Sequence, residues 1–486
     1  MNARDAAPPL HAEQAAALAS HAQASWQQRI VPALIDYIAV PAKSPMFDAA
    51  WQQRGLLERV LCDAAAWVDS RRVAGLKLQI VRLEGRTPLL YFDVPATRAD
   101  SAHTVLFYGH LDKQPEFSGW RSGLGPWTPK LEDGKLYGRG GADDGYAVYA
   151  AVSAIEALDA QGLARPRCVG LIETSEESGS PDLPAYLDVL RDRLGDVGLV
   201  VCLDSGAGNY EQLWLTTSLR GTVSGVLKVE VLDEGIHSGD ASGVVPSSFR
   251  ILRQLLDRLE DARTGTLLPR SFHCEIPALR VEQARAAAAI LRDEVYQRFP
   301  WACGADGGAV LPTTTDPVQV LLNRTWRPTL SITGADGLPA LSDAGNVLRP
   351  HTAFKLSLRL PPRVDGAAAS QQLKALLEDG APYNARVTFH ADNAASGWDA
   401  PQLAPWLERA LNDASHAHFG APLGTLGQGG TIPLMSLLQA GFPRAQMMVC
   451  GVLGPKSNAH GPNEFLHLRY GTKLTAAVAQ VLAACR

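Results

Sequence analysis

Continuous apolar runs, each followed by polar residues, form the dominant pattern along this chain. Four of them cover 104–112, 167–180, 197–206 and 444–460. Stretches with helical spacing of apolar residues lie between or near the first three runs, at 146–160 and 183–194. Apolar strands that alternate with helices are typical of a mostly parallel sheet covered on both faces. The pattern therefore predicts an α/β domain with a mostly parallel sheet.

A different pattern occupies the middle of the chain. Residues 226–233 and 353–362 alternate between apolar and polar positions, which is typical of an antiparallel sheet with one solvated or ligand-facing side. Residues 248–261 carry an apolar stripe along one side of an amphipathic helix. These stretches predict an α+β segment that interrupts the α/β domain.

The length and composition of the chain agree with two domains. Its 486 residues exceed what one ordinary core accommodates. A content of 46% hydrophobic and 20% charged residues is that of a soluble globular protein. We place the inserted α+β segment at 212–395 and the α/β domain at 1–211 and 396–486.

Charge and cysteine usage argue against several classes of function. The formal net charge of -5 offers no basic field for nucleic acid, and no apolar run approaches the roughly 18–20 residues of a membrane-spanning helix. The N-terminus lacks the charged-then-apolar order of a secretory signal. The seven cysteines are scattered without a CxxC pair, which indicates free thiols in a reducing compartment. We therefore expect a cytoplasmic protein that binds neither nucleic acid nor membrane.

Each of the four apolar runs ends in side chains of the metal-ligand type. In chain order they are His110 and Asp112, then Glu176 and Glu177, then Asp204, and finally His460 after a short loop. Asp143 follows the glycine cluster of “LYGRGGADDG” at the start of a helix, where the glycines allow a sharp turn. Because ligands bind outside the carboxyl ends of strands in open α/β sheets, we expect these side chains to meet at one edge.

This set of side chains suits a pair of divalent metal ions. Imidazole nitrogens and carboxylate oxygens without a thiolate favour zinc in an open catalytic site, with cobalt and manganese as alternatives. Two neighbouring ions need a bridging carboxylate, and Asp143 is the candidate. The terminal ligands would be His110, Asp204, Glu177 and His460.

Two further carboxylates remain for other tasks. Glu176 could stay off the metals and take the proton of the attacking water as a general base. Asp112 lies two residues after His110, so in an extended chain both side chains point the same way. Asp112 could therefore orient His110 through the second ring nitrogen.

Each part of this pattern by itself has an ordinary structural interpretation. A histidine at a strand end is most often a polar cap, paired glutamates often start a helix, and an aspartate after a strand is a common N-cap. The stretch “GRGG” resembles a phosphate cradle, but it lacks the GxGxxG and GKS patterns. The hypothesis of a metal site depends on the joint occurrence of ligands at the ends of all four runs.

A set of motifs gives the chain a resemblance to a known family. These are “GHLDKQP” (109–115), “LYGRGGADDG” (136–145), “TSEESGS” (174–180), “LDSG” (203–206), “GIHSGDASG” (235–243), “NVLRPHTAFKLSLRLPP” (346–362), “GQGGTIP” (427–433) and “GPKSNAHGPNE” (454–464). In content and order they resemble the co-catalytic dinuclear zinc peptidases, which include carnosinase-type dipeptidases, glutamate carboxypeptidase, aminoacylase and acetylornithine deacetylase. The resemblance spans nearly the whole chain.

The resemblance implies how the metal ligands are divided. One ion would be held by His110, Asp143 and Asp204, and the other by Asp143, Glu177 and His460. The family usually has a cis peptide bond directly after the bridging aspartate.

It also implies roles for the remaining candidates in the catalytic domain and for the inserted segment, which would be a lid and dimerisation domain. Glu176 would be the general base and Asp112 would support His110. In the lid, His237 matches a histidine that stabilises the oxyanion in the active site of the other subunit, which implies a homodimer. The matching substrate-binding residues are Arg359, which would clamp the C-terminal carboxylate, and Asn346 and Thr431.

From these features we predict a metallopeptidase that hydrolyses dipeptides or short peptides with a free C-terminal carboxylate. An aspartate at position 204 and the long lid resemble the carnosinase-type branch. One alternative is an N-acyl-amino-acid amidohydrolase of the same superfamily. Another is a metal-binding protein that has lost catalysis and acts by forming dimers; it would be expected to lack a ligand or the base, and none is missing here.

Overall fold

The described part of the chain forms two compact units in a computed structural model. The described residues are 10–97, 103–430 and 433–485. Unit 1 is built from the described residues of Met1–Thr217, Ala400–Leu426 and Leu437–Arg486, and unit 2 from those of Ser218–Asp399 and Gly427–Ser436. Unit 2 differs from the segment predicted at 212–395 by a few residues at each end and by the short return passage. That passage has no hydrophobic pattern of its own that would reveal which core it joins.

The helices and strands follow one another in a mixed order. The helices are α1 (Ala12–Ser25), α2 (Val31–Ile38), α3 (Trp51–Arg54), α4 (Leu56–Asp69), α5 (Ala147–Ala160), α6 (Leu183–Leu194), α7 (Ser238–Ala241), α8 (Ser248–Leu256), α9 (Ala278–Leu291), α10 (Glu294–Gln297), α11 (Pro317–Thr325), α12 (Gly366–Glu378), α13 (Pro405–Phe419), α14 (Pro433–Gly441) and α15 (Leu468–Ala484). The strands are β1 (Lys77–Val81), β2 (Leu89–Val94), β3 (Thr104–His110), β4 (Lys130–Glu132), β5 (Lys135–Tyr137), β6 (Arg167–Glu173), β7 (Val197–Cys202), β8 (Trp214–Leu219), β9 (Gly221–Glu230), β10 (Ile236–His237), β11 (Glu260–Asp261), β12 (Thr266–Leu267), β13 (Thr329–Asp336), β14 (Val347–Leu348), β15 (His351–Leu360), β16 (Arg386–Ala395), β17 (Trp398–Asp399), β18 (Gly424–Gln428), β19 (Gln446–Val449) and β20 (Phe465–His467).

The central sheet of unit 1 confirms the predicted mostly parallel α/β architecture. Its strand order is β1-β2-β6-β3-β7-β19. The pairs β3 with β6, β3 with β7 and β7 with β19 are parallel, whereas β1 and β2 form an antiparallel edge. The four parallel strands come from the four apolar runs, and they are direct neighbours.

Close packing of α5 against β3 brings the start of that helix to the end of the strand. All seven residues of β3 are buried. Gly109 is needed in β3 because a Cβ there would lie 2.9 Å from the Cβ of Ala147, the first residue of α5. The turn that precedes α5 therefore lies directly against the carboxyl end of β3.

Unit 2 contains the antiparallel sheet that the alternating pattern predicts. Its order is β13-β15-β9-β16, and all neighbouring strands are antiparallel. Leu227 and Val229 of β9 and Leu356 and Leu358 of β15 are buried in one core, together with apolar residues of α8 and α12. The alternate side chains Lys228 and Lys355 are partly exposed. The sheet thus has one helix-covered face and one polar face.

Two further predictions concern the chain as a whole. All seven cysteines are free thiols, and Cys168, Cys202, Cys450 and Cys485 are buried. Among the described residues, no helix has both the length and the apolar composition needed to cross a bilayer.

Candidate metal centre

The carboxyl ends of the parallel strands bring the candidate ligands together. His110 is the last residue of β3, and Asp204 follows two residues after β7. Glu176 and Glu177 begin a short helical turn, Glu176–Ser178, shortly after β6. Because β6, β3 and β7 are parallel neighbours, these ends meet at one edge of the sheet. His460 reaches the same group from the loop between β19 and β20.

The first ligand group consists of His110, Asp143 and Asp204, all of them buried. The Nε2 atom of His110 lies 3.4 Å from Oδ1 of Asp143 and 3.8 Å from Oδ2 of Asp204. This nitrogen is buried and has no hydrogen-bond partner. The other ring nitrogen, Nδ1, lies 3.1 Å from the main-chain oxygen of Asp112. If Nδ1 donates to that carbonyl, the lone pair of Nε2 faces the two carboxylates, as a metal ligand requires.

The second ligand group consists of Asp143, Glu177 and His460. The Nε2 atom of His460 lies 3.0 Å from Oδ2 of Asp143 and 3.3 Å from Oε2 of Glu177. The two oxygens of Asp143 thus face different histidines, Oδ1 toward His110 and Oδ2 toward His460. A carboxylate that belongs to both groups in this way is suited to bridge two ions. The peptide bond between Asp143 and Asp144 is cis.

The charges of these groups also fit bound cations. Burial, with repulsion from Asp143, raises the pKa of Glu177 to about 8. Burial likewise raises the pKa of Asp204 to about 7, with repulsion from Asp143 adding to the effect. Burial opposes ionisation of Asp143 too, but the combined attraction to the imidazoles of His110 and His460 outweighs it and holds the pKa of Asp143 below its ordinary value. Buried carboxylates at this density favour a compensating positive charge, and the oxygen and imidazole donors suit divalent transition metals.

Glu176 lies beside the two groups without belonging to either. Its Oε2 atom is 3.9 Å from Nε2 of His110, and burial, followed by repulsion from Asp204, raises the pKa of Glu176. Asp112 holds the turn on which Glu176 sits. Its Oδ1 accepts from the main-chain N–H of Glu176 at 3.1 Å, and its Oδ2 accepts from that of Glu177 at 2.9 Å. Oδ1 of Asp112 also lies 3.5 Å from Nδ1 of His110. The carboxylate is thus beside the histidine, while the hydrogen bonds that it accepts fix the glutamate turn.

A buried ion pair that the sequence did not predict connects two ligand-bearing loops. Arg139 and Glu464 pair with side-chain exposures of 1% and 0%. Arg139 also donates to the main-chain oxygens of His460 at 3.1 Å and Gly461 at 2.8 Å. Glu464 accepts from the main-chain N–H of Gly140 at 2.8 Å. The pair therefore ties the loop that carries His460 to the glycine turn that leads to Asp143.

The motifs contain both members of this pair, so the sequence offered a reason to consider them. Arg139 lies within “GRGG” and Glu464 closes “GPKSNAHGPNE”. A charged side chain inside a glycine-rich turn, close to a candidate ligand, is a reasonable candidate for a structural partner. Sequence alone could not show that these two charges, far apart along the chain, meet each other.

Glu173 is a second buried carboxyl group that the sequence analysis did not single out. It accepts from the hydroxyls of Tyr108 at 2.6 Å, Ser180 at 2.8 Å and Ser175 at 3.0 Å. Burial raises the pKa of Glu173 to about 7. Because Ser175 and Ser180 lie on either side of the Glu176 turn, Glu173 fastens both ends of that turn to the sheet.

The candidates in unit 2 occupy a separate set of elements. His237 ends β10 and pairs with Val347 of β14, next to Asn346. The main-chain oxygen of Asn346 accepts from the N–H of Ser238 at 2.9 Å, so His237 and Asn346 are brought side by side. Arg359 lies in β15 between partners on β9 and β13. Thr431 falls outside the described residues.

The fold and the paired ligand groups are those of a metal-dependent hydrolase with an open α/β catalytic unit. The chain belongs to peptidase family M20/M25/M40, whose family model matches residues 106–484. The predicted family is therefore confirmed, and the chain is a metallopeptidase. The family and the ligand cluster together indicate a dinuclear metal site.

Individual relatives are similar over most of their length. The cysteinylglycine-S-conjugate dipeptidase of Corynebacterium striatum is 26% identical over 409 residues, which is 83% of this chain and 85% of that protein. The human beta-Ala-His dipeptidase is 28% identical over 394 residues, 77% of this chain and 74% of that protein. The crystal structure of human carnosine dipeptidase 1 matches with a TM-score of 0.76 and 22% identity, over 98% of this chain and 100% of that chain.

Proposed function

We propose that this protein is a dipeptidase that uses two divalent metal ions, with zinc as the first candidate and manganese or cobalt as alternatives. The observation that carries the proposal is the shared position of Asp143, whose two oxygens face His110 and His460. His110, Asp143 and Asp204 would hold one ion, and Asp143, Glu177 and His460 the other. The relatives reported above are named as dipeptidases, which supports this substrate class.

The chemistry would be divided between the metals and one glutamate. When bound, two divalent ions lower the pKa of water and polarise the carbonyl of the scissile peptide bond. Glu176 would take the proton of the attacking water and deliver it to the leaving amine. Asp112 would support this step because it holds the main-chain N–H groups of Glu176 and Glu177 and so fixes the position of the base.

Unit 2 would act as a lid and dimerisation domain that recognises the substrate. Arg359 would bind the C-terminal carboxylate, since a guanidinium can donate two parallel hydrogen bonds to a carboxylate. Asn346 and Thr431 would contact the peptide. His237 would stabilise the oxyanion in the second subunit of a homodimer. The pairing of β10 with β14, which brings His237 next to Asn346, supports a joint role for these two residues. A cytoplasmic location stays a prediction.

A substrate panel with controlled metal content tests this function. Purified protein is assayed on a small library of dipeptides and tripeptides, and on N-acetyl and N-succinyl amino acids. The assays are repeated after chelation and after addition of zinc, manganese or cobalt. We expect dipeptides to be the best substrates, activity to disappear with the metal, and two ions per chain in elemental analysis. Preferred hydrolysis of N-acyl amino acids would identify an amidohydrolase instead.

A further inference from the structure

Arg220 and Arg324 of unit 2 lie against the loop at Gly429, and Arg298 follows α10, which packs against the helix that carries Arg324. Arg220 donates from Nε to the main-chain oxygen of Gly429 at 3.1 Å and from Nη1 to Oγ1 of Thr329 at 3.0 Å. A Cβ at position 429 would lie 3.3 Å from Nη2 of Arg220 and 3.2 Å from Cγ of Arg324. The two side chains therefore lie on the same loop, and a side chain at position 429 would be in tight contact with both of them.

The positive charges of this group repel one another. Burial, followed by repulsion from Arg298 and Arg220, lowers the pKa of Arg324 to about 9. Burial, followed by repulsion from Arg359, lowers the pKa of Arg220 to about 10. In the part of the chain that the structure describes, no ion pair joins Arg220, Arg298 or Arg324 to a carboxylate. The Nε atom of Arg324 is buried without a hydrogen-bond partner.

Other buried arginines of this protein are neutralised. Arg139 pairs with Glu464, and Arg165 pairs with Asp159. Within unit 2 itself, Arg280 pairs with Asp399. Because a buried charge without a partner is costly, arginines that lie together without carboxylates are best explained by an anionic ligand.

We propose that Arg220, Arg298 and Arg324 form a subsite for a second carboxylate of the substrate, so that the enzyme prefers dipeptides with an acidic C-terminal residue. This inference rests on the proposed function, in which Arg359 binds the α-carboxylate. Arg220 donates to Thr329 of β13, and Thr329 is the direct pairing partner of Arg359 in β15, so Arg220 and Arg359 contact the same residue position. One α-carboxylate offers a single negative charge to this cluster, whereas a C-terminal glutamate or aspartate offers two.

The test compares two substrates that differ only in this charge. The metal-loaded protein is assayed on Ala-Glu and on the isosteric Ala-Gln. Because a hydrogen bond to a charged group contributes more than a neutral one, we expect kcat/KM to favour Ala-Glu by about tenfold or more. Arg324→Gln should bring this ratio close to one. Arg298→Gln should also lower the ratio, and it replaces Arg324→Gln in the test if that variant does not fold.

A matched control comes from a neighbouring arginine. Arg327 donates hydrogen bonds to the side chains of Asn323 and Gln319 in the helix that precedes it. Its guanidinium therefore already has acceptors near its own position in the chain. Arg327→Gln should keep the wild-type preference for Ala-Glu. A wild-type enzyme that treats Ala-Glu and Ala-Gln alike would overturn the proposal, as would an Arg324→Gln variant that keeps the full preference.

A binding measurement separates this inference from the proposed function. Calorimetric titration of the metal-loaded protein with glutamate, glutamine and inorganic phosphate needs no turnover. Tighter binding of glutamate than of glutamine, with the difference lost in Arg324→Gln, would support the subsite. If neither dipeptide were hydrolysed in the same experiments, only the proposed dipeptidase function would be contradicted. Tight binding of phosphate with equal affinity for glutamate and glutamine would show a site for free anions and would contradict the proposal.

Discussion

The metal centre of unit 1 gathers buried carboxylates, and the arginine cluster of unit 2 gathers buried guanidinium groups. The two clusters differ in how their side chains are held in place. The carboxylates of the metal centre sit on turns that are fixed by main-chain hydrogen bonds, such as those from Glu176 and Glu177 to Asp112. The arginines are long side chains, and in Arg324 the buried Nε has no partner. The candidate metal ligands are thus positioned by main-chain donors of their own loops, whereas the arginine cluster retains a buried donor that has no partner.

The largest expected effect separates chemistry in unit 1 from binding in unit 2. Glu176→Gln removes the proposed general base, so kcat should fall by about 10²–10⁴-fold. Elemental analysis should still find two ions per chain, and glutamate should bind as in the wild type. Glu408→Gln, at an exposed position of α13, is the control and should keep full activity. A Glu176→Gln enzyme with normal kcat would remove Glu176 from the mechanism.

The second largest effect is expected from breaking the buried ion pair of Arg139 with Glu464. Glu464→Gln leaves Arg139 buried without its partner, which should cost about 3–5 kcal/mol in the free energy of unfolding. Because the pair holds the loop of His460, metal affinity should also fall by about 10–100-fold. Chemical denaturation and metal titration measure the two quantities.

Glu58→Gln provides the comparison for this variant. It breaks the more exposed pair of Glu58 with Arg82, and its effect should stay within about 1 kcal/mol. If Glu464→Gln loses stability while its metal affinity is unchanged, the pair supports the fold but does not position His460.

Metal removal should make the stability of the protein depend on pH in a particular direction. Burial and repulsion raise the pKa of Glu177 to about 8 and of Asp204 to about 7. Without metal, the folded state therefore holds protons that the unfolded state releases near pH 4, and stability falls as pH rises from about 4 to 8. Burial lowers the pKa of His460, but the hydrogen bond to Asp143 and the attraction to Asp143, Glu177 and Glu464 together outweigh burial. They raise the pKa of His460 to about 9, which acts in the same direction.

Thermal unfolding at several pH values checks this expectation. The difference in Tm between metal-loaded and chelated protein should grow between pH 5 and pH 8, within the window set by the pKa values of Asp204 and Glu177. A difference that stays constant or shrinks over this range would show that these carboxylates are not the groups that the metals neutralise.

The smallest expected effect concerns the charge of unit 2. Arg359→Lys keeps the charge but loses the planar fork that matches a carboxylate, so KM for dipeptides should rise by about tenfold with a smaller change in kcat. Arg386→Lys, in the pair with Glu230 at the start of β16, is the control. A change in kcat without a change in KM would assign Arg359 to catalysis. Unit 2 would then no longer differ from unit 1 by serving substrate binding only.

Much of the catalytic fold could be predicted because its information is local. The apolar runs at 104–112, 167–180, 197–206 and 444–460 contain the four neighbouring parallel strands β3, β6, β7 and β19. The candidate ligands follow these strands directly, so the rule that parallel strand ends meet at one edge brings them together. The lid residues His237, Asn346, Arg359 and Thr431 came from the resemblance, and their roles stay predictions.

The remainder depends on contacts that no local pattern encodes. The acceptor for Nδ1 of His110 is the main-chain oxygen of Asp112, while the Asp112 carboxylate binds the glutamate turn. Main-chain atoms have the same chemistry in every residue, so such partners cannot be read from residue types.

The sequence by itself determined the α/β class, the identity of the ligand-type side chains and their positions after the strands, because hydrophobic periodicity and strand ends are properties of neighbouring residues. Only the tertiary structure decided that Arg139 meets Glu464, that Gly427–Ser436 joins unit 2, and that arginines distant in sequence gather at Gly429. These outcomes depend on how segments far apart along the chain pack together, and packing is settled by the whole fold.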